Sequence, residues 1–88
     1  MQAYIKKESL RRLKAAKGHL DHVISLVEKE VYCIDILQQS LAVQSALRSV
    51  DSLILKGHLE EHVAEAFKGK DKQSSIDEVV RLFQKMRK

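Results

Sequence analysis

Proline is absent from this chain of 88 residues, which has only three glycines and one cysteine. Without proline nothing forces a long helix to break. A single cysteine cannot close an intrachain disulfide. With no signal peptide and no apolar run of membrane-spanning length, the expected setting is the reducing cytoplasm, away from any membrane. Strand-like alternation, internal repeats and low-complexity segments are missing too, so sheet and repeat architectures are set aside. Enzyme signatures are equally scarce. There is no phosphate-cradling glycine loop, no His-Glu-x-x-His and no paired carboxylates that stand out. Cys33 with a histidine is a conceivable nucleophile and base, but no third orienting group accompanies them. We therefore expect a protein that is not an enzyme. The familiar helix-turn-helix, zinc-finger and basic-zipper patterns are absent as well.

What remains is rich in Leu, Ala, Glu, Lys, Gln and Arg, the vocabulary of helices. The length allows one domain, residues 1–88, and a core modest enough for oligomerisation to be the expected remedy. Sixteen Lys and Arg against twelve Asp and Glu give a net charge of +4. That excess is concentrated at the start, where Lys6, Lys7, Arg11, Arg12, Lys14 and Lys17 face Glu8 alone. A run of this kind is either a solvated helix face or a grip for phosphates.

Leu13, Ala16, Leu20, Val23 and Val27 recur at three- and four-residue steps, predicting an amphipathic first helix with one apolar stripe, interrupted at Gly18. Glu28-Lys29-Glu30 reads as a short connection, so the second helix should fold back on the first. This second helix is expected to run from Tyr32 to about Phe67. Its apolar surface, spread over Ile34, Leu37, Leu41, Val43, Leu47, Val50, Leu53, Ile54, Leu55 and Leu59, is too wide for one neighbour. A second chain is the natural cover. A polar break follows around Gly69. Ser75 and Glu78 have capping-box spacing and should open a short third helix with Ile76, Val79, Val80 and Phe83 on one face.

The second helix also carries the chemistry. His58 and His62 lie four apart and face the same way. At ~100° per residue, Cys33, His58 and His62 fall within an arc of roughly 40°. Cys33 and His58 are nevertheless about 37 Å apart along the axis, at ~1.5 Å per residue. One chain cannot bring them to one metal ion, whereas an antiparallel partner crossing near Gln44 to Ala46 can. A thiolate with two imidazoles suits Cu(I), Zn(II), Co(II) or Ni(II). The plain alternative is a cysteine acting as a small hydrophobe and a histidine pair without a role. His19 and His22, three apart on the first helix, form a weaker pair with no accompanying ligand of evident geometry beyond Asp21.

The segments Leu13-Lys14-Ala15-Ala16-Lys17-Gly18-His19-Leu20-Asp21, Tyr32-Cys33-Ile34-Asp35-Ile36-Leu37-Gln38-Gln39, Ala42-Val43-Gln44-Ser45-Ala46-Leu47 and His58-Leu59-Glu60-Glu61-His62 resemble the copper-sensitive operon repressor family. Its relatives include nickel/cobalt, formaldehyde and persulfide sensors. The resemblance covers nearly the whole chain. It implies an all-α, three-helix protomer with one long central helix, an antiparallel homodimer and a dimer-of-dimers homotetramer. It implies a transcriptional repressor that holds operator DNA when metal-free and releases it on metal binding. The implied ligands, donated across the dimer, are Cys33 and His58, with His62 standing where copper sensors usually have a second cysteine. That exchange keeps a Cu(I) site and admits Zn(II), Ni(II) or Co(II) more readily. The nickel/cobalt branch adds an N-terminal histidine, the formaldehyde branch an early proline and the persulfide branch a second cysteine, none of which this chain has. Cu(I) is the leading expectation. Tyr32 and Glu78 match positions that hydrogen-bond around the histidine ligand. Arg12 matches a position tied to DNA binding, in company with Arg11, Lys14 and Lys17. Arg48 lies beside another such position, which Ser49 occupies. A helical metal-handling or scaffold oligomer without DNA binding is the alternative.

Overall fold

The computed structural model describes the backbone of residues 1–66 and 72–86, and the side chains of residues 1–62, 76–82, 84 and 85. Three helices account for nearly all of it: α1 (Ala3–Glu28), α2 (Cys33–Ala66) and α3 (Lys72–Met86). The described chain forms two compact units, residues 1–57 and residues 58–88.

In the first unit α1 and the leading part of α2 form an antiparallel hairpin. Three contacts fix its direction, because the partner number falls as the first number rises. Ile5 sits against Gly57, Arg12 bonds Ser49 and His19 bonds Gln39. One series of buried and half-buried positions runs along α1 through Ile5, Ser9, Arg12, Ala16, His19, Val23 and Leu26, and a matching one along α2 through Ile36, Gln39, Val43, Ala46, Val50, Leu53 and Gly57. Steps of four and three alternate along both series, with Glu8, Ser25, Ser40, Ile54 and Leu55 half-buried on their flanks. This is the heptad seam of a two-helix coiled coil. Small residues dominate it: Ser9, Ala16, Val23, Val43, Ala46, Val50 and Gly57 let the two backbones approach closely.

This seam corrects the expected stripe of α1. Ala16 and Val23 are buried, but Leu13, Leu20 and Val27 are exposed, Val27 by 56%. The positions actually facing α2 include polar Ser9, Arg12 and His19, which a count of large apolar residues passes over. The larger side chains Leu13, Leu20, Ile24 and Val27 of α1 and Ile34, Leu37, Leu41 and Leu47 of α2 face outward in the single chain. Gly18 does not interrupt α1, which passes through it unbroken.

The α1–α2 turn is built by backbone hydrogen bonds. Val31 N–H donates to the Leu26 carbonyl at 3.1 Å and Glu30 N–H to the Val27 carbonyl at 3.0 Å. These are the two bonds of a Schellman cap, whose C′ residue must adopt the left-handed conformation. Glu30 does so, with φ 53°, in a place usually given to glycine. The link, residues 29–32, is one residue longer than the expected Glu28-Lys29-Glu30, and α2 starts at Cys33, one residue after the expected Tyr32. Asp35 in its first turn suits the positive end of the helix.

In the second unit, α3 begins at Lys72, so Ser75 lies inside the helix and does not cap it. The Ser75 and Phe83 side chains and the Gly69 break lie outside the described residues. Val79 is half-buried, whereas Ile76, Val80 and Leu82 are exposed.

Candidate metal centre and basic face

Four-residue spacing on a continuous helix places His58 and His62 one turn apart. Their ring centroids lie 4.1 Å apart with planes tilted by 44°. Rings this close can each present a nitrogen to a common ion. Both side chains are half-buried. From α3, Glu78 brings Oε2 to 3.6 Å from His58 Nε2. That is too long for a direct hydrogen bond, yet close enough for a carboxylate to orient an imidazole through small adjustments.

Cys33 is the first residue of the same helix and is exposed, as is Tyr32 just before it. α2 is unbroken from Cys33 to Ala66, so about seven turns separate the thiol from His58. Among the described residues, no group of three or more His, Cys, Asp or Glu side chains gathers where it could hold a metal. One chain thus carries the donors in two places: a thiol at the start of α2 and two imidazoles near its end. The donor chemistry itself, one soft sulfur and two borderline nitrogens, fits Cu(I) or Zn(II).

The other histidine pair is arranged differently. His19 Nε2 lies 2.7 Å from Gln39 Oε1, inside the helix–helix seam. His22 is exposed on the flank. One of the two ring nitrogens of His19 is thus engaged by α2.

The basic residues collect around one acid. Arg11 donates from Nε to Glu8 Oε2 at 3.0 Å and from its terminal nitrogen to Oε1 at 2.6 Å. Arg12 Nε donates to the same Oε1 at 3.0 Å. These hydrogen bonds, with the charges behind them, hold the Glu8 carboxyl at about 2. The same carboxylate raises the Arg11 guanidinium further above its usual range. The free arm of Arg12 reaches across to α2 and donates to Ser49 Oγ at 2.8 Å. Lys14, Lys17 and Arg48 are exposed. Sequence reasoning treated Glu8 only as the lone opposing charge, although its spacing to Arg11 and Arg12 signals both pairs. Gln39 and Ser49 as partners carry no such local signal.

These features define the class: a small all-α protein with candidate metal donors on one long helix and a cationic face on another. Among the described residues, no helix is long and apolar enough to cross a membrane. The family model of metal-sensitive transcriptional repressors matches residues 5–85. The chain belongs to that family. It is 40% identical over 75 residues to the copper-sensing transcriptional repressor CsoR of Mycobacterium ulcerans, a match that covers 85% of this chain and 64% of that protein. This chain therefore spans somewhat less than two thirds of that relative's length. It is 36% identical over 83 residues to CsoR of Bacillus subtilis, covering 94% of this chain and 82% of the relative. The crystal structure of CsoR with Cu(I) from Geobacillus thermodenitrificans superposes with a TM-score of 0.90 at 32% identity, over all of this chain and 92% of the other.

Proposed function

We propose that residues 1–88 form one domain of a cytoplasmic, Cu(I)-responsive transcriptional repressor, not an enzyme. In this reading the metal-free protein holds operator DNA through the basic face of α1, where Arg12, Arg11, Lys14 and Lys17 meet phosphates and Arg48 assists from α2. Two chains pair antiparallel, and the pairs associate into a tetramer. The outward-facing Leu20, Ile24 and Val27 of α1 and Ile34, Leu37 and Leu41 of α2 support this assembly, since they are large, apolar and uncovered in the single chain. Cys33 then comes beside the partner subunit's His58 and His62, and these three side chains hold the ion. Bound there, the ion supplies a bridge between subunits that metal-free side chains cannot make. Tyr32 and Glu78 orient the histidine ligand, Glu78 from its place 3.6 Å from His58. Linkage then requires that whatever metal takes from DNA affinity, DNA takes from metal affinity.

The observation that carries the reading is the close His58–His62 pair on the same helix as Cys33, in a chain of the metal-sensitive repressor family. The test follows the anisotropy of a labelled duplex from upstream of the chain's own operon while Cu(I) is added through a competing chelator. DNA release at stoichiometric Cu(I), lost in Cys33→Ala, is expected. Unchanged metal affinity and unchanged release in Cys33→Ala would sink the proposal. A second reading, a Zn(II), Ni(II) or Co(II) sensor, is favoured by His62 in place of a thiol, because each imidazole hardens the site. Parallel titrations with Zn(II) and Ni(II) separate the two. A chain that binds metal but no duplex at low salt would instead be a metal-handling scaffold.

A further inference from the structure

On the basic face of α1 an acid sits amid cations. Glu8 is the only acidic residue among the first twenty, surrounded by Lys6, Lys7, Arg11, Arg12, Lys14 and Lys17. Both of its oxygens are in use: Oε1 accepts from Arg11 and Arg12, and Oε2 from Arg11. Ser49 of α2 holds the other arm of Arg12. A guanidinium fork that fits a carboxylate also fits a phosphate, because both offer two oxygens at similar spacing. Arg11 and Arg12 therefore form a cradle for an oxyanion, with Ser49 steadying the far arm of Arg12, and the chain has filled it with its own carboxylate. We propose that Glu8 is the resident competitor of this cradle, displaced when a phosphodiester of nucleic acid takes its place.

The inference rests on the DNA-binding reading and deepens it. Exposure makes the exchange feasible. The Arg11 side chain is 68% exposed and that of Glu8 34%, and ion pairs open to water are weak. A phosphate arriving with a whole backbone behind it can displace such a partner, whereas an isolated small anion competes poorly. Glu8 stays ionised at every physiological pH, since its carboxyl is held at about 2. The competition is therefore constant and is not a pH switch. Its effect is to reduce the charge the face offers DNA, and with it the number of counterions released on binding.

The test compares metal-free wild type with Glu8→Gln, which keeps shape and removes the charge, after circular dichroism has shown equal helix content. The probes are the upstream duplex across a salt series and, separately, inorganic phosphate in a thermal melt. Duplex affinity should rise roughly 3- to 10-fold in Glu8→Gln at low salt, with the log–log salt slope steeper by about one for each protomer engaged. Duplex binding by both proteins, with Glu8→Gln equal or weaker, would overturn the inference and leave the repressor reading standing; Glu8 would then serve to aim the arginines. If neither protein bound duplex while phosphate protected Glu8→Gln, the nucleic-acid ligand and the repressor reading would fall together, and free phosphate would be the cradle's ligand.

Discussion

Each long helix carries a glycine followed by a histidine, Gly18-His19 on α1 and Gly57-His58 on α2, and the fold treats the two dipeptides in opposite ways. On α1 the histidine enters the seam and bonds Gln39, while a Cβ built on Gly18 meets nothing within 4 Å. On α2 the glycine enters the seam, where an added Cβ would lie 2.7 Å from Ile5 Cγ1. His58 lies beside His62 and Glu78. One residue of helical phase separates a structural histidine from a candidate ligand. The two dipeptides are the same, while the neighbours their histidines meet are not: Gln39 for His19, His62 and Glu78 for His58.

The largest expected break in this contrast is in metal affinity. His58→Ala should lose affinity on the order of a hundredfold or more, because even outer partners of a ligand are worth about 10- to 100-fold. His19→Ala should leave it within about twofold, while its melt shows the loss of roughly 1 kcal/mol from the abandoned Gln39. Equal losses in both variants, read by chelator competition, would erase the distinction.

The glycines supply the next test, with opposite signs. Gly57→Ala should destabilise by about 1–3 kcal/mol, since β-branched Ile5 has little room to yield. Gly18→Ala should stabilise by roughly 0.5–1 kcal/mol, the usual gain when an exposed helical glycine acquires a methyl. Urea melts of both variants decide it. Stabilisation of both would mean that the seam is looser at Ile5 than described.

A subtler effect concerns Glu78. Glu78→Gln should weaken metal binding about tenfold without changing stoichiometry, the scale of an orienting partner. No change would place Glu78 outside the site's influence and leave His58 closer to His19 in character than proposed.

The smallest effect lies on the basic face. The Glu8 carboxyl falls from its ordinary 4.5 to about 2 on folding. A depressed carboxyl stabilises above its unfolded value and loses that contribution as the pH falls through the folded one. The stability difference between wild type and Glu8→Gln should be constant above about pH 5 and vanish toward pH 2 in thermal melts. The pair is solvent-exposed, so the difference should be small.

How much of this was legible in advance varied with the range of the interaction. The His58–His62 pair and the Glu8 contacts are local, three or four residues apart on a helix, and the spacing alone places them together. Arg12 with Ser49 and His19 with Gln39 span 37 and 20 residues, and no local pattern names such partners. The apolar stripe of α1 differs from the expected one for a related reason. Large residues marked the expected inner face, yet the seam selects small ones.

The sequence by itself determined three helices, an all-α chain and a thiol and two imidazoles on a single helix, because hydrophobic period, absent proline and fixed helical rise leave little choice. Only the tertiary structure decided which stripe of each helix faces inward. A helix of period 3.6 offers several apolar stripes of similar merit, and the choice falls to the one where Gly57, Val50, Ala16 and Ser9 let two backbones come close. That choice sends His19 into the seam and turns the large leucines outward toward whatever covers them.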